Sequence, residues 1–268
     1  MQTIGLIGGG NMAEAILRGI IRTNQENPPN ILLYEPNKNR CDALGREYRL
    51  HFCESNAELA QKSEVILLAV KPQVAPTVLE EIAPHVHSKH LLLSIMAGVP
   101  TAAIENHFSV PVRVVRAMPN MPATIGEGVT ALCTGSHAGS GDLLVAEELF
   151  SGIGTVLRVE EKQMDAVTGL SGSGPAYVYM LIEALADGGV FSGLPRGTAL
   201  QLAIQTVLGS AKLASVSALH PAILCDQVCS PGGTTIAGVK ALEEHGFRNA
   251  AMEAVIRATQ RSKELGKK

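Results

Sequence analysis

The chain has 268 residues, a formal net charge of −3 and a sequence pI of about 6.2, and 46% of its residues are hydrophobic. This length can bury one large core or two smaller ones, and the lack of any block of Lys and Arg argues against a nucleic-acid partner. No apolar run approaches the ~20 residues that cross a bilayer, and no basic leader precedes the first apolar run, so we expect a cytoplasmic protein with no membrane partner.

Short apolar runs bounded by Gly and Pro alternate with amphipathic segments over the first 160 residues. This alternation is typical of an α/β fold in which helices cover both faces of a parallel sheet. We therefore expect a doubly wound, Rossmann-type sheet, with helices that include Met12–Arg22 and Ala75–Ile82. The predicted strands are Thr3–Ile7, Ile31–Tyr34, Val65–Val70, Leu91–Ile95, Val112–Ala117 and Val129–Cys133.

A glycine turn, Gly8-Gly9-Gly10-Asn11-Met12-Ala13, joins the first predicted strand to the first predicted helix. It matches the pattern G-x-G-x-x-A, in which Gly8 allows the tight turn, Gly10 lets the backbone approach a pyrophosphate and Ala13 keeps the helix close to the strand. The order strand, turn, helix predicts a dinucleotide site. The alternative is a glycine turn in an α/β domain that binds another ligand.

The end of the second predicted strand bears on the choice between NAD and NADP. Glu35 can accept a hydrogen bond from a ribose 2′-hydroxyl, which favours NAD. Asn37, Lys38 and Arg40 follow it and can hold a 2′-phosphate through an amide and two cations, which favours NADP. We expect NADP (as NADPH) to be preferred, with NAD (as NADH) as a second cofactor.

The sequence changes character after residue 160, where the predicted strands give way to long helical stretches rich in Ala and Leu. We place the domain boundary there. Residues 1–160 are the predicted dinucleotide-binding domain, and residues 161–268 are a predicted all-helical domain for substrate binding and dimerisation.

Two of these helical stretches are more apolar than a surface helix. Pro175–Asp187 starts with Pro, ends at Gly188-Gly189 and is apolar on nearly every face, and Thr198–Ala214 is similar. Such helices exceed what a domain of ~100 residues needs for its own core. We therefore expect the helical domains of two chains to interlock.

Five cysteines, at positions 41, 53, 133, 225 and 229, include no C-x-x-C pair. Cys225 and Cys229 are four residues apart, which places them on one face of a helix, but no His or acidic cluster completes a metal-binding set. We expect the cysteines to be small apolar core residues with free thiols, and we expect no bound metal.

The most informative segment is the run from Ser230 to Gly238, which reads Ser-Pro-Gly-Gly-Thr-Thr-Ile-Ala-Gly. A glycine loop here leads into apolar residues with helical spacing, so its backbone N–H groups and the helix dipole favour an anion. Thr234 and Thr235 add hydroxyl groups that can donate or accept hydrogen bonds. The alternative is a capped helix without a ligand.

Three further segments are Leu68-Ala69-Val70-Lys71-Pro72-Gln73, Met118-Pro119-Asn120-Met121-Pro122 and Leu170-Ser171-Gly172-Ser173-Gly174-Pro175-Ala176-Tyr177. With the run from Ser230 to Gly238, they make the chain resemble the pyrroline-5-carboxylate reductases over nearly its whole length. The resemblance implies NAD(P)H-dependent reduction of 1-pyrroline-5-carboxylate, a cyclic imine with a carboxylate, to L-proline, the last step of proline synthesis. It also implies self-association as a dimer or a multiple of dimers, up to a decamer.

The resemblance implies the positions of the site residues as well. Gly232, Gly233, Thr234 and Thr235 hold the substrate, and the catalytic role falls to Thr235, which faces the ring nitrogen. The implied cofactor-binding residues are Ile7, Gly8, Gly9, Gly10, Asn11, Met12, Asn37, Asn56, Ala69, Val70, Lys71, Pro72, Ile95, Met96 and Ala97.

Two positions depart from the family pattern. Ala218 stands where some members carry a Glu that approaches the substrate, and Gln227 stands where some carry an Asn beside the nicotinamide. The late motif offers Ser and Thr but no His, Lys or carboxylate in an obvious acid position. Asp226 is the alternative acid, but its neighbours Cys225 and Val228 give it no evident partner, so we expect a solvated or capping role for it. Catalysis is therefore expected to consist mainly of positioning two reactants.

Two other functions are considered. A β-hydroxyacid dehydrogenase shares the glycine turn and a helical second domain, but it needs a Lys after its interdomain glycine motif, and here Tyr177 leads to Val178. Without that amine, a base for the substrate hydroxyl is missing. A non-catalytic NADPH-sensing module would leave the Gly-Gly-Thr-Thr segment without a purpose.

Overall fold

The computed structural model describes residues 3–26 and 29–266. Packing divides the chain into two compact units, the first made of residues 1–173 with 257–268 and the second of residues 174–256. The division falls after residue 173 and not at residue 160, and the C-terminal half of the last helix belongs to the first unit. The boundary at residue 160, as a division of function, stays a prediction.

Eight strands form one sheet in the first unit, in the order β3-β2-β1-β4-β5-β6-β7-β8. Every neighbouring pair is parallel except β6 and β7. The chain runs outward on one side of β1 and then crosses to β4 on the other side, which creates a switch point at their carboxyl ends. The strands are β1 (Thr3–Ile7), β2 (Asn30–Tyr34), β3 (His51–Phe52), β4 (Val65–Leu68), β5 (Leu91–Ser94), β6 (Arg113–Met118), β7 (Gly128–Thr134) and β8 (Gly154–Arg158).

Helices cover both faces of this sheet and make up the second unit. Those that start in the first unit are α1 (Asn11–Thr23), α2 (Lys38–Glu47), α3 (Asn56–Lys62), α4 (Ala75–Ile82), α5 (Thr101–Glu105), α6 (Ser140–Ser151) and α7 (Met164–Val167). The others are α8 (Gly174–Phe191), α9 (Arg196–Ser217), α10 (Pro221–Val228), α11 (Thr234–Glu244) and α12 (Phe247–Leu265).

The sheet is buried because its strands are aliphatic on both faces. One core contains Leu6, Leu67 and Val115 together with Ile16 of α1, and the opposite core contains Ile66 with residues of α3 and α4. Alternate residues of one strand thus enter opposite cores, as in a parallel sheet covered on both sides. The predicted doubly wound fold is confirmed.

The second unit has a small core of its own. Ala186, Ala199 and Ala203 pack α8 against α9, and a Cβ at Gly189 would come within 3.1 Å of the Ala199 Cβ. The predicted stop at Gly188-Gly189 is therefore wrong, because Gly189 stays helical to admit α9. Large apolar side chains on these helices remain exposed, among them Met180, Leu202, Leu208 and Val216.

A buried histidine, His90, directly precedes β5. His90 is 3% exposed, its Nδ1 accepts from the His87 N–H at 2.9 Å, and the two rings lie 3.9 Å apart. Burial and the neighbouring His87 lower the pKa of His90 below its ordinary 6.5. On acidification, the unfolded state therefore takes up the proton before the native state does.

We expect the free energy of unfolding to fall as the pH drops through 6.5, and the loss to level off below the native pKa of His90. Urea unfolding at several pH values between 8 and 5 measures this loss of stability. The variant His90→Gln, which has no titrating ring, should show a smaller loss. An equal loss in both proteins would assign the pH dependence to other groups.

Candidate active site

The carboxyl ends of β1 and β4 meet at the glycine turn. Gly8 has φ +97°, a conformation that L side chains rarely adopt, and a Cβ there would lie 2.7 Å from the Ala69 carbonyl oxygen. Its N–H donates to the Tyr34 carbonyl at 2.9 Å, and Ala69 N–H donates to the Ile7 carbonyl. The turn is thus tightly fixed between three strands.

The N-terminus of α1 is open to a ligand. Gly10 is its N-cap, and no side chain in the described part of the chain caps this helix. A Cβ at Gly10 would meet nothing within 4 Å in the described residues, whereas Ala13 is 2% exposed and packs into the core. Uncapped N–H groups beside free space suit the close approach of a pyrophosphate.

A hydrogen-bonded carboxylate joins the glycine turn to α2. Glu35 accepts from Gly9 N–H through Oε2 at 2.8 Å and from Asn37 N–H through Oε1 at 2.9 Å. Asn37 in turn is the N-cap of α2 and accepts from the Arg40 N–H. Sequence reasoning considered Glu35 only as a ribose partner and missed this structural role, which the spacing in the chain does not reveal.

The two cations after β2 have different surroundings. Arg40 donates through Nη2 to Glu14 at 2.5 Å and through Nε to the Gly9 carbonyl at 2.5 Å. Burial of Glu14 favours a higher pKa for its carboxyl, but the hydrogen bond and the charge of Arg40 help to lower that pKa below its ordinary value. Lys38 is exposed in the first turn of α2. The side chain with freedom to reach a 2′-phosphate is therefore Lys38.

Other predicted cofactor residues lie at the same edge of the sheet. Ala69, Val70, Lys71 and Pro72 follow β4, and Ile95, Met96 and Ala97 follow β5. The side chains of Ile7 and Met96 are buried in a core, so these two residues offer the ligand only backbone groups.

Asn56 has an unused acceptor. It starts α3 and is 5% exposed, and its Nδ2 donates to Glu81 at 2.6 Å. Its buried Oδ1 has no partner within the described residues. An unsatisfied buried oxygen of this kind is costly unless a ligand or water donates to it.

Asn120 links two of the sequence motifs. Its Nδ2 donates to the Ser171 carbonyl at 3.1 Å, and its Oδ1 accepts from Val129 N–H at 2.9 Å. Ser171 lies in a π-helical turn, Thr168–Gly172, and a Cβ at Gly172 would come within 2.8 Å of the Met118 side chain. The motifs at Met118 and Leu170 thus form one packed feature, which the sequence alone does not indicate.

The loop before α11 is the second candidate anion site. Gly232 has φ +67°, and Gly233 N–H donates to the Ser230 carbonyl at 3.0 Å. Gly233 is the N-cap of α11, and among the residues that the structure describes no side chain caps the helix. The first-turn N–H groups thus remain available, which weakens the alternative of a capped helix without a ligand. Thr235 is half-buried and Thr234 is exposed.

Together, the switch point, the glycine turn and the open N-terminus of α1 define a dinucleotide-dependent oxidoreductase. Residues 3–98 match a family model described as NADP oxidoreductase, coenzyme F420-dependent, and residues 161–265 match pyrroline-5-carboxylate reductase dimerisation. The second match supports self-association of the chain.

Relatives that match over their full length identify the family within this class of oxidoreductases. The chain is 51% identical to the pyrroline-5-carboxylate reductase of Synechocystis sp., covering 99% of this chain and 98% of that protein. A solved reductase from Coxiella burnetii has TM-score 0.93 and 35% identity, covering 100% and 99% of the two chains. The reductase of Plasmodium falciparum, solved with NADP bound, has TM-score 0.87 and 35% identity, covering 99% and 98%.

The chain belongs to the pyrroline-5-carboxylate reductase family. It is an oxidoreductase that reduces the C–N double bond of 1-pyrroline-5-carboxylate to give L-proline. The resemblance stated from the sequence motifs is confirmed.

Proposed function

We propose that Gly232, Gly233, Thr234 and Thr235 hold the substrate and that Thr235 is the catalytic residue. The observation that carries this proposal is the uncapped N-terminus of α11. Its N–H groups and the helix dipole provide an anion site for the substrate carboxylate without an arginine. The Thr235 hydroxyl, in the same first turn, would orient the ring nitrogen.

The reaction adds a hydride to the imine carbon and a proton to the ring nitrogen. The reduced nicotinamide supplies the hydride when it is bound. The substrate nitrogen arrives protonated or takes its proton from water, and the Thr235 hydroxyl fixes its direction. This chain therefore contributes mainly position and orientation, which can be worth about 7–11 kcal/mol. Steady-state reduction of 1-pyrroline-5-carboxylate by NADPH, measured for the wild type and for Thr235→Val, tests the proposal.

The proposed cofactor is NADPH, and the same site also admits NADH. Support comes from three features of the described residues: the free space at Gly10, the Oδ1 of Asn56 without a partner among them, and the exposed Lys38. Gly8 to Met12 would hold the pyrophosphate, while Asn37 and Lys38 would receive the 2′-phosphate at the N-terminus of α2. Arg40 would contribute its charge from its place beside Glu14.

We expect the double variant Lys38→Ala/Arg40→Ala to lose affinity for NADPH by about tenfold and for NADH by much less, because only NADPH carries the extra phosphate. Fluorescence titration with each cofactor measures both constants. The single variant Lys38→Ala should account for most of the loss. Equal weakening of both cofactors would place the discrimination in Asn37 or in the backbone.

Self-association is proposed to take the form of a dimer through the second unit, with decamers built from five such dimers. Large apolar side chains on α8 and α9 are exposed in the isolated chain. In the described part of the chain, α9 is also the one helix long and apolar enough to cross a membrane, and 11% of that stretch is buried. We propose that helices of a second copy cover it, in a cytoplasmic protein.

We expect the intact chain to sediment as a dimer or a multiple of dimers at micromolar concentration. Leu208→Glu on α9 should shift it toward the monomer, because it places a charge in the apolar interface. Leu157→Glu on β8 is the matched control, since Leu157 is 53% exposed and Leu208 58%. An intact chain that is an active monomer would contradict the dimer.

A further inference from the structure

Two cysteines stand at the end of α10, directly before the loop proposed to bind the substrate. Cys225 is exposed in the last turn of the helix, and Cys229 is half-buried at its C-cap, so the expectation of core residues is wrong for these two. Residues four apart on a helix have Cα atoms ~6 Å apart. This separation lies within the range that a disulfide bond accepts.

The spacing of four residues places both thiols on one face at the end of α10. The pKa of the Cys229 thiol is raised by its partial burial and then by the neighbouring Cys225 thiol. The other cysteines have different surroundings. Cys41 donates to the Glu35 carbonyl at 3.1 Å, and burial raises the pKa of Cys133 to about 12. Cys225 is therefore both exposed and close to another thiol.

We propose that Cys225 and Cys229 form a redox-sensitive dithiol that is oxidised to a disulfide by low-molecular-weight disulfides of the glutathione type. The proposal rests on the function assigned above to the loop Gly232–Thr235. The dithiol is a modification site, distinct from the groups that bind substrate and cofactor.

The chemistry is two successive thiol–disulfide exchanges. The exposed Cys225 gives up its proton, and its thiolate attacks one sulfur of glutathione disulfide, which breaks that bond and releases one glutathione thiolate to take up a proton. Cys229, after losing its own proton, attacks the Cys225 sulfur and releases the second glutathione. Two protein thiols are oxidised to one disulfide, and one disulfide is reduced to two glutathione thiols.

Closing this bond must move the end of α10. Side chains four apart on a helix have Cβ atoms about 5–6 Å apart, whereas a disulfide holds them about 3.8 Å apart. Cys229 can take up this difference in Cβ separation, because its backbone is no longer helical (φ −87°, ψ 99°). Its N–H donates to the Asp226 carbonyl, three residues before it.

The movement passes directly into the substrate loop. Ser230 follows Cys229, its carbonyl accepts from Gly233 N–H, and its Oγ lies 2.2 Å from where a Gly233 Cβ would stand. Pro231, with its fixed φ, transmits the shift instead of absorbing it. Oxidation therefore displaces the N-terminus of α11 and the Thr235 hydroxyl, while the dinucleotide site in the other unit stays unchanged.

The full-length protein, incubated with glutathione disulfide, provides the test. Peptide mapping by mass spectrometry should find a Cys225–Cys229 disulfide, recognised by the loss of two hydrogens. We expect kcat/KM for 1-pyrroline-5-carboxylate to fall about tenfold, because small displacements of a positioned reactant are costly. The Kd for NADPH should not change, and dithiothreitol should restore the activity.

Two variants and one probe control the test. Cys225→Ser should keep the untreated activity and become insensitive to glutathione disulfide, whereas Cys41→Ser should stay sensitive. Phenylarsine oxide, which bridges two neighbouring thiols, should bind the wild type in one equivalent and Cys225→Ser in none.

The outcomes distinguish failure of the dithiol switch from failure of the proposed substrate loop. Failure to form the disulfide, or a disulfide that leaves kcat/KM unchanged, overturns the dithiol switch. A loss of activity that persists in Cys225→Ser overturns it too. If Thr235→Val retains full activity, the role of the substrate loop fails, and the mass spectra still decide whether the disulfide forms.

Discussion

Thr235→Val is expected to lower kcat/KM for 1-pyrroline-5-carboxylate by about tenfold to a hundredfold, because a hydrogen bond to a charged group contributes about 1.5–3 kcal/mol. Val has nearly the same shape as Thr, so the change removes the hydroxyl and keeps the packing at the start of α11. Initial rates at saturating NADPH, with a titration of the substrate, measure the effect.

Thr235→Ser is the matched control for this result, since it keeps the hydroxyl and loses only a methyl group. It should retain most of the activity, and both variants should bind NADPH as the wild type does. Wild-type kcat/KM in Thr235→Val would show that the hydroxyl does not touch the reacting nitrogen, and the anion site of α11 would then act through its backbone alone.

Much of the sheet follows from apolar runs in the sequence. β1 has the predicted bounds, and α4 matches the predicted Ala75–Ile82. The strands β3 and β8 were not predicted, and they are the two edges of the sheet. β3 has only two residues, both exposed, and in β8 Leu157 is exposed and no long apolar run develops. Edge strands carry a weaker pattern because only part of their surface is buried.

Glycine was informative at turns and misleading inside α8. Gly8 and Gly232 have positive φ, as the turns require. Gly189 is helical instead, because its missing side chain lets Ala199 of α9 approach. A single sequence shows a helix-breaking residue in both cases, and only the packing of a second helix distinguishes them.

The hydrogen bonds within the first unit were the least predictable part of the site. Glu35 reaches back 26 residues to Gly9, and Asn120 reaches forward 51 residues to Ser171. These partners are brought together by the order of strands in the sheet, so no local spacing encodes them. Arg40 is an example: it is one of the two cations predicted to hold the 2′-phosphate, and in the structure it forms an ion pair with Glu14.

Gly10→Ala is expected to weaken NADPH binding by about tenfold or more while the protein stays folded, because one or more charge-assisted hydrogen bonds to the pyrophosphate are lost. Gly10 has φ −66° and ψ 177°, which Ala adopts without strain, and a Cβ there meets no atom within 4 Å in the described residues. The added methyl group therefore fits the chain and fills only the space beside the N-terminus of α1.

Gly139→Ala is the matched control for this variant. Gly139 is the N-cap of α6 and has equally free space around its Cβ position, so both variants lose a glycine N-cap at a cost of about 1 kcal/mol or less. Thermal unfolding should give similar shifts for the two proteins, while only Gly10→Ala should raise the Kd of NADPH. If both bind NADPH as the wild type does, the pyrophosphate does not pass Gly10; if both lose affinity equally, the loss reflects stability. A selective loss in Gly10→Ala places the cofactor at the switch point between β1 and β4.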